Sequence, residues 1–263
     1  MLSITFLTSL RAALKKRSFL YVAAIFLLAS LGSCSREEKS YFIGIDPHWY
    51  ALDLMGKEAN VSALTHDLFR EISRVEHVHF KQINRNWDNL MECVRDQRCQ
   101  GAVTARYPHL FYLRQYHFSD VFLKTGPVLI VRESASLDTL NQLQGKEVFV
   151  ATQAQKALLI QRYPGVIVRY YDAIPEALNS LMSDKVDAVL VDVLFAEAFI
   201  QNLYLGKLKI VTKPLNQAGL RIVTLRDSDP QVVNHFNAGL EKLRKNGVYK
   251  RLLEKWDLAR SEG

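Results

Sequence analysis

Short apolar runs alternate with amphipathic stretches along most of the chain. The runs have the pattern of strands, whereas apolar residues elsewhere recur every three or four positions, as they do on one face of a helix. We predict strands near residues 41–45, 77–80, 102–103, 128–131, 147–151, 166–170, 186–191, 203–211 and 219–224. We predict helices over 61–75, 87–94, 152–162, 174–182 and, as two stretches, 231–256. Strands that alternate with helices indicate an α/β protein.

The same layout occurs twice in this alternation. A helix, a polar turn and a strand follow one another from Leu90 to Val103 and again from Leu178 to Val191. Two similar halves predict two α/β lobes joined by strands that cross between them. The first lobe is expected to comprise residues 41–129 and 222–263, and the second residues 130–221.

The N-terminal segment has the pattern of an export signal. Four basic residues, Arg11, Lys15, Lys16 and Arg17, precede an uncharged stretch over 18–33 that is short for a membrane span of about 20 residues. It ends in Leu31-Gly32-Ser33-Cys34, which resembles a bacterial lipobox. We therefore predict a lipoprotein signal peptide over 1–33, lipid attachment (palmitate) at Cys34 and a tether over 34–40. The alternatives are an uncleaved anchor helix and an ordinary signal peptide with an incidental cysteine.

The charge excludes one class of function. The formal net charge is +7, and the four basic residues of the leader supply more than half of it. Lys and Arg are interspersed with Asp and Glu, without a long basic run, so a nucleic-acid partner is not expected.

Two cysteines remain after Cys34, at positions 93 and 99. An oxidising compartment favours a disulfide between Cys93 and Cys99, which would close a short loop between a helix end and a strand start. The alternative is two reduced, half-buried thiols.

Two segments have the chemistry of a ligand site. Trp49 and Tyr50 follow the first strand, where open α/β sheets place ligands; alternatively, they cap the core. The helix that begins near Gln153 and Gln155 would offer free N–H groups to a carboxylate.

Other chemistries lack support in the sequence. His77 and His79 share a face of a strand, but the local pattern has no third ligand, so we expect a solvated face, no metal and no cofactor. The chain has no Gly-x-Ser-x-Gly, His-Glu-x-x-His or P-loop motif. We expect a binding protein rather than an enzyme.

Several motifs resemble the amino-acid-binding family of bacterial periplasmic solute-binding proteins, the family 3 receptors of ABC importers. They are the lipobox, Phe118-Ser119-Asp120, the crossover Leu129-Ile130-Val131, Gly145-Lys146, the segment from Asp184 to Asp192, and the closing Gly247-Val248 to Lys255-Trp256. The resemblance implies a two-lobed type II periplasmic-binding-protein fold with two crossover strands as a hinge. It implies a monomer, in the periplasm or at the cell surface, that binds an amino acid or related solute, glutamine-like or basic, and delivers it to a permease.

The resemblance also implies site residues. Asp192 falls on the family's ammonium-binding position and Trp49 on its aromatic position. Tyr112 stands where the family has its carboxylate-binding arginine, so Arg106 or Arg114 would have to supply the guanidinium. The expected ligand-binding set is Asp192, Trp49, Tyr50, Thr104, Tyr107, Tyr112, Gln153 and Gln155. For Asp192 the alternative is a helix cap.

Two other functions stay open at this point. One is an exported enzyme on the same fold, similar to cyclohexadienyl dehydratase, with His109 or Asp192 as general acid or base. The other is a sensing or interaction module without transport, which the missing family arginine favours.

Overall fold

The computed structural model describes residues 38–49, 52–151 and 159–259. Within it, the residues from Lys39 onward form one compact unit. None of its helices combines the length and the apolar character needed to cross a bilayer.

The first sheet is built from both ends of the chain. Its strand order is β2-β1-β3-β11-β4, with β5 paired to β11. The strands are β1 (Ser40–Ile45), β2 (His79–Asn84), β3 (Gly101–Thr104), β4 (Tyr116–Phe118), β5 (Leu123–Lys124) and β11 (Gly219–Leu225). β1 runs parallel to β2 and β3, whereas β11 is antiparallel to β3 and β4. The carboxyl ends of β1 and β3 therefore open at the same edge.

Helices cover both faces of this sheet. They are α1 (Glu58–Glu76), α2 (Trp87–Arg95), the single-turn α3 (Leu110–Leu113), α6 (Gln231–Lys245) and α7 (Val248–Lys255). α1 and α6 pack together so closely that a Cβ at Gly239 would lie 2.6 Å from Ile72 Cγ2. Gly247 ends the penultimate helix with φ +74°, a conformation that suits glycine.

The second sheet has the order β10-β6-β9-β7-β8. Its strands are β6 (Pro127–Arg132), β7 (Glu147–Ala151), β8 (Ile167–Tyr171), β9 (Ala188–Asp192) and β10 (Leu208–Ile210). β7 is parallel to β8 and β9, while β6 is antiparallel to β9 and β10. Its helices include α4 (Ile174–Met182) and α5 (Val193–Asn202), and a 3-10 turn spans Leu140–Gln142.

The chain crosses between the sheets twice. It leaves the first sheet after Lys124 and returns at Gly219, a few residues before each predicted lobe boundary. The two connections lie side by side, because Thr125 N donates to Ala218 O at 3.0 Å and Leu215 N donates to Pro127 O at 2.8 Å. Two lobes joined by this pair of crossings form a type II periplasmic-binding-protein fold.

A disulfide joins Cys93 at the end of α2 to Cys99 just before β3. Both cysteines are buried in a small apolar cluster with Leu90, Val94 and Tyr116. The cluster packs against β1, since a Cβ at Gly44 would lie 3.0 Å from Leu90 Cδ1 and 3.3 Å from Cys99 Sγ.

One helix departs from the predictions. α5 occupies Val193–Asn202, where the sequence pattern predicted no element, and β10 takes only three residues of the strand predicted over 203–211. Apolar side chains occur at most positions of α5, so no 3.6-residue period marks it. Its position directly after β9 makes Asp192 the residue that precedes its first turn.

Candidate functional site

A first cavity of about 340 Å³ opens at the carboxyl ends of β1 and β3. It is bounded by the loop after β1, the start of α2 and the segment that connects β3 to α3. Its lining residues are Asp46, Trp49, Leu52, Trp87, Leu90, Val103, Thr104, Ala105, Arg106, Tyr112 and Leu220. The volume is in the range of small-molecule sites.

Trp49 forms one wall of this cavity and is also part of the core. Its side chain is only 4% exposed, and its indole Nε1 donates to Ser62 Oγ at 2.8 Å. The backbone at Trp49 has φ 51°, which turns the loop after β1. The two interpretations of Trp49 therefore coexist, since the same ring packs on the core and faces the cavity.

Thr104, Arg106 and Tyr112 form the opposite part of the lining. Thr104 ends β3 and its Oγ1 accepts a hydrogen bond from Arg106 N at 3.0 Å. The Arg106 guanidinium carbon lies 4.6 Å from the centre of the Tyr112 ring, within cation–π distance. Both side chains are half-buried. A guanidinium thus lies close to the position where the family has its arginine, supported by the tyrosine that replaces it.

A second cavity of about 420 Å³ spans the two lobes. It is lined by the loop after β1, the first crossing, and the carboxyl ends of β7, β8 and β9 together with the start of α5. The lining residues are Leu52, Asp53, Leu54, Thr125, Ala151, Tyr171, Asp172, Ile174, Asp192, Leu194 and Phe195. Leu52 lines both cavities, so the two are neighbours.

Asp192 contributes a carboxylate to the second cavity. It occupies the N-cap position of α5, but its side chain makes no capping hydrogen bond to that helix. Asp192 therefore occupies the position of a helix cap, but its side chain does not act as one. Among the described residues that line this cavity, the two other charged ones, Asp53 and Asp172, are also acidic.

Tyr171 shares this cavity and stays neutral there. Burial raises the pKa of its phenol well above the ordinary value, and the nearby Asp192 raises it further. Its hydroxyl donates to Leu190 O at 3.0 Å. The phenol therefore keeps its proton beside Asp192 and adds no negative charge to the cavity.

The predicted site residues divide into three groups. Trp49, Thr104 and Tyr112 meet in the first cavity, and Asp192 lines the second. Tyr107 is 45% exposed and lines neither cavity, and the same is true of the exposed His109. Tyr50, Gln153, Gln155 and the lipobox cysteine Cys34 lie outside the described residues.

The prediction missed several lining residues. Asp46 and Trp87 belong to loops or helix starts that follow strands, so a signal for them existed. Tyr171 lies one residue beyond the strand predicted over 166–170 and was given no role. Its role depends on the neighbouring strand β9, which no local pattern places beside it.

No metal centre appears in the part of the chain that the structure describes, where no three His, Cys, Asp or Glu side chains converge. His77 sits in a left-handed turn after α1, and His79 begins β2; both are exposed.

Two α/β lobes, two crossings and a polar cleft between the lobes define a two-lobed ligand-binding protein. The model of the bacterial extracellular solute-binding proteins, family 3, matches residues 41–259, and the chain belongs to this family. The match covers both sheets and both crossings.

Curated relatives and solved structures agree with this assignment. The arginine-binding extracellular protein ArtP of Bacillus subtilis (strain 168) is 21% identical over 253 residues, which cover 92% of this chain and 98% of ArtP. The L-cystine-binding protein TcyJ of Escherichia coli (strain K12) is 21% identical over 258 residues, covering 93% and 96%. The unliganded open L-cystine solute receptor of Neisseria gonorrhoeae superposes with a TM-score of 0.62 at 16% identity, over 85% of this chain and 94% of the receptor.

Proposed function

We propose that this protein binds an amino acid in the cleft between its lobes and delivers it to an ABC permease. The observation that carries the proposal is the polarity of the cleft. Arg106 lines one cavity together with the aromatic rings of Trp49 and Tyr112, and Asp192 lines the adjacent one. An α-amino acid presents a carboxylate, an ammonium group and a side chain, which match these three features.

The relatives support the same class of solute. ArtP is named for arginine and TcyJ for L-cystine, and both align with nearly the whole chain. We further propose that binding closes the lobes about the two crossings and that the permease recognises the closed form. The protein acts as a monomer outside the cytoplasm, where the lipid on Cys34 holds it at a membrane.

The test is calorimetric titration of the purified full chain with the twenty amino acids and L-cystine. At least one of them is expected to bind with a dissociation constant below about 10 μM, and 100 times that constant should stabilise the protein by about 2.7 kcal/mol. Asp192→Asn should weaken binding at least about tenfold, since the buried ammonium loses its counter-charge.

Asp138→Asn is the matched control. Asp138 is exposed, pairs with Lys209 and lines neither cavity, so its replacement should leave the affinity unchanged. Absence of binding by every amino acid at about 1 mM, a concentration that would reveal even weak affinities, would refute the proposed function.

A further inference from the structure

We propose that Arg106, supported on the ring of Tyr112, is the group that binds the ligand's carboxylate. The inference rests on the proposed function and deepens it: the ligand is a zwitterion whose carboxylate lies in the first cavity and whose ammonium group points to Asp192. In this arrangement Arg106 supplies the guanidinium that the family pattern places at position 112, where this chain has a tyrosine.

Geometry holds the Arg106 side chain at the cavity. The backbone is fixed at its base by the hydrogen bond from Arg106 N to Thr104 Oγ1. Further out, the guanidinium lies over the Tyr112 ring at 4.6 Å. A guanidinium that stacks on an aromatic face keeps its N–H edge free, so it can still form a two-pronged bond with a carboxylate.

The Arg106 guanidinium is also available to a ligand. Throughout residues 38–49, 52–151 and 159–259, no carboxylate lies within ion-pair distance of it, although many other arginines there are paired. Asp46 shares the cavity, but its Oδ1 accepts the His48 N–H at 3.0 Å. A half-buried cation without a protein counter-ion is suited to an anionic ligand group.

Two other arginines near the segment are positioned differently. Arg114 lies just after α3, is exposed and lines neither cavity. Arg221 is 5% exposed on β11, and its Nη2 donates to the main-chain oxygen of Gln217. Neither guanidinium belongs to the lining of the cleft, which leaves Arg106 as the cation there among the described residues.

The charges along the cleft set the direction of the ligand. Arg106 is the one basic residue among the described residues that line the first cavity, whereas Asp53, Asp172 and Asp192 line the second. The first cavity also contains Asp46, whose Oδ1 accepts the His48 N–H. Leu52 belongs to both linings, so Arg106 and the three aspartates of the second cavity lie in neighbouring cavities. A zwitterion fits only with its carboxylate toward Arg106 and its ammonium group toward Asp192.

The experiment compares acids with their esters on the full chain. L-arginine, L-histidine, L-glutamine and L-cystine are titrated calorimetrically beside their methyl esters, which keep the ammonium group and the side chain but lose the carboxylate charge. The wild-type protein should bind its amino acid more tightly than the ester. Arg106→Gln should weaken binding of the acid by about 10- to 100-fold and leave the ester within about twofold.

Control variants separate this role from a structural one. Arg114→Gln should leave both affinities unchanged. Tyr112→Leu removes the ring that supports the guanidinium and should weaken binding of the acid more than binding of the ester. If Arg106→Gln does not fold, Arg106→Lys replaces it in the experiment, because lysine keeps the positive charge but lacks the planar guanidinium. This variant should weaken binding of the acid, but not of the ester, by a smaller factor than Arg106→Gln would.

The outcomes distinguish the two proposals. If the acid binds to the wild-type protein and Arg106→Gln, or Arg106→Lys in its place, loses no selectivity for it, the carboxylate is held elsewhere and only this assignment fails. If none of the twenty amino acids and L-cystine binds to the wild-type protein, the assignment and the proposed function both fail.

Discussion

Asp67 shows how one residue joins distant parts of the chain. Its position in α1 is on the side that the sequence pattern treats as polar, yet its side chain is only 6% exposed. Its Oδ2 accepts hydrogen bonds from Lys255 Nζ at 2.7 Å and from Trp256 Nε1 at 3.1 Å, and its Oδ1 pairs with Arg70 at 2.9 Å. The carboxylate therefore attaches the C-terminal helix to α1.

These contacts make the stability dependent on pH. Burial alone would raise the pKa of Asp67, but the hydrogen bonds from Lys255 and Trp256 and the charge of Arg70 outweigh it and lower the pKa below the ordinary 3.8. Because the pKa is lowered in the folded state, the ionised Asp67 carboxylate contributes fully to the free energy of unfolding above about pH 5. This contribution is lost as the pH falls through the folded-state pKa.

We expect Asp67→Asn to lower the free energy of unfolding by about 1–2 kcal/mol at pH 7, because two charge-assisted contacts are lost. Below about pH 3 the difference from the wild-type protein should shrink. Urea unfolding at pH 7, 5 and 3 measures both effects. Glu254→Gln is the control: Glu254 is half-exposed, 3.9 Å from Lys250, and should change stability by less than about 0.5 kcal/mol. An equal loss for Asp67→Asn at all three pH values would contradict the explanation.

At the scale of elements, the two crossings are held together by close backbone contacts. Gly126 lies between β5 and β6, where its carbonyl accepts the N–H of Val193 at 3.1 Å. A Cβ at this position would overlap Asn216 Oδ1, an atom that also accepts the N–H of Ala218 at 3.0 Å. Glycine is therefore required for the first crossing to approach the second.

We expect Gly126→Ala to lower the free energy of unfolding by about 1–3 kcal/mol through overpacking. Asn216→Ala alone should cost about 1 kcal/mol, since it removes one hydrogen bond. In the double variant the free energy of unfolding should decrease by about 1 kcal/mol less than the sum of the two single decreases, because the alanine Cβ no longer overlaps the Asn216 side chain. Chemical unfolding of all four proteins measures this coupling.

Gly206 provides the comparison for this cycle. A Cβ there meets nothing within 4 Å, although its φ of +70° makes alanine mildly strained. The decreases in the free energy of unfolding caused by Gly206→Ala and by Asn216→Ala should therefore be additive. Additive losses for Gly126→Ala and Asn216→Ala as well would show that the crossings have room to separate.

At the scale of the whole molecule, the compact unit begins at Lys39, five residues after Cys34 in the sequence. The proposed lipid on Cys34 would thus hold a complete two-lobed unit at the membrane by a short connection.

Replacement of the cysteine tests this anchor. In a bacterial host that processes lipoproteins, the wild-type protein should incorporate labelled palmitate and fractionate with membranes, whereas Cys34→Ser should do neither. Cys93→Ser with Cys99→Ser serves as the control, because this pair lies in the folded unit and should not affect labelling. Unlabelled wild-type protein, or label retained by Cys34→Ser, would rule out the predicted attachment.

Much of the fold could be predicted because its elements have strong periodic patterns. The helix predicted over 174–182 and the strand over 147–151 have these bounds in the structure, and the break near Gly247 separates two helices as expected. α5 was not predicted because apolar residues occur on most sides of this largely buried helix. Such a sequence has no 3.6-residue alternation of apolar and polar positions by which a helix could be recognised.

The site was predictable only in part. Trp49, Thr104 and Tyr112 are brought together because β1 and β3 end at the same edge of the first sheet. Thr104 is the last residue of β3, and the other two lie in the segments that follow these strands. Tyr107 was expected beside them but is exposed, since the chain turns between β3 and α3. The choice between Arg106 and Arg114 was beyond the sequence, because it depends on which guanidinium reaches the Tyr112 ring.

The sequence by itself determined the α/β class, the two similar halves and the family resemblance, because these depend on local periodicity and on motif order. It also favoured a disulfide between Cys93 and Cys99 over two reduced thiols. Tertiary structure decided which side chains meet: Arg106 with Tyr112, Asp192 with Tyr171, and Asp67 with Lys255 across 188 residues of chain. Such contacts follow from how strands and helices pack in space, and the free energy of that packing is a property of the whole unit rather than of any one segment.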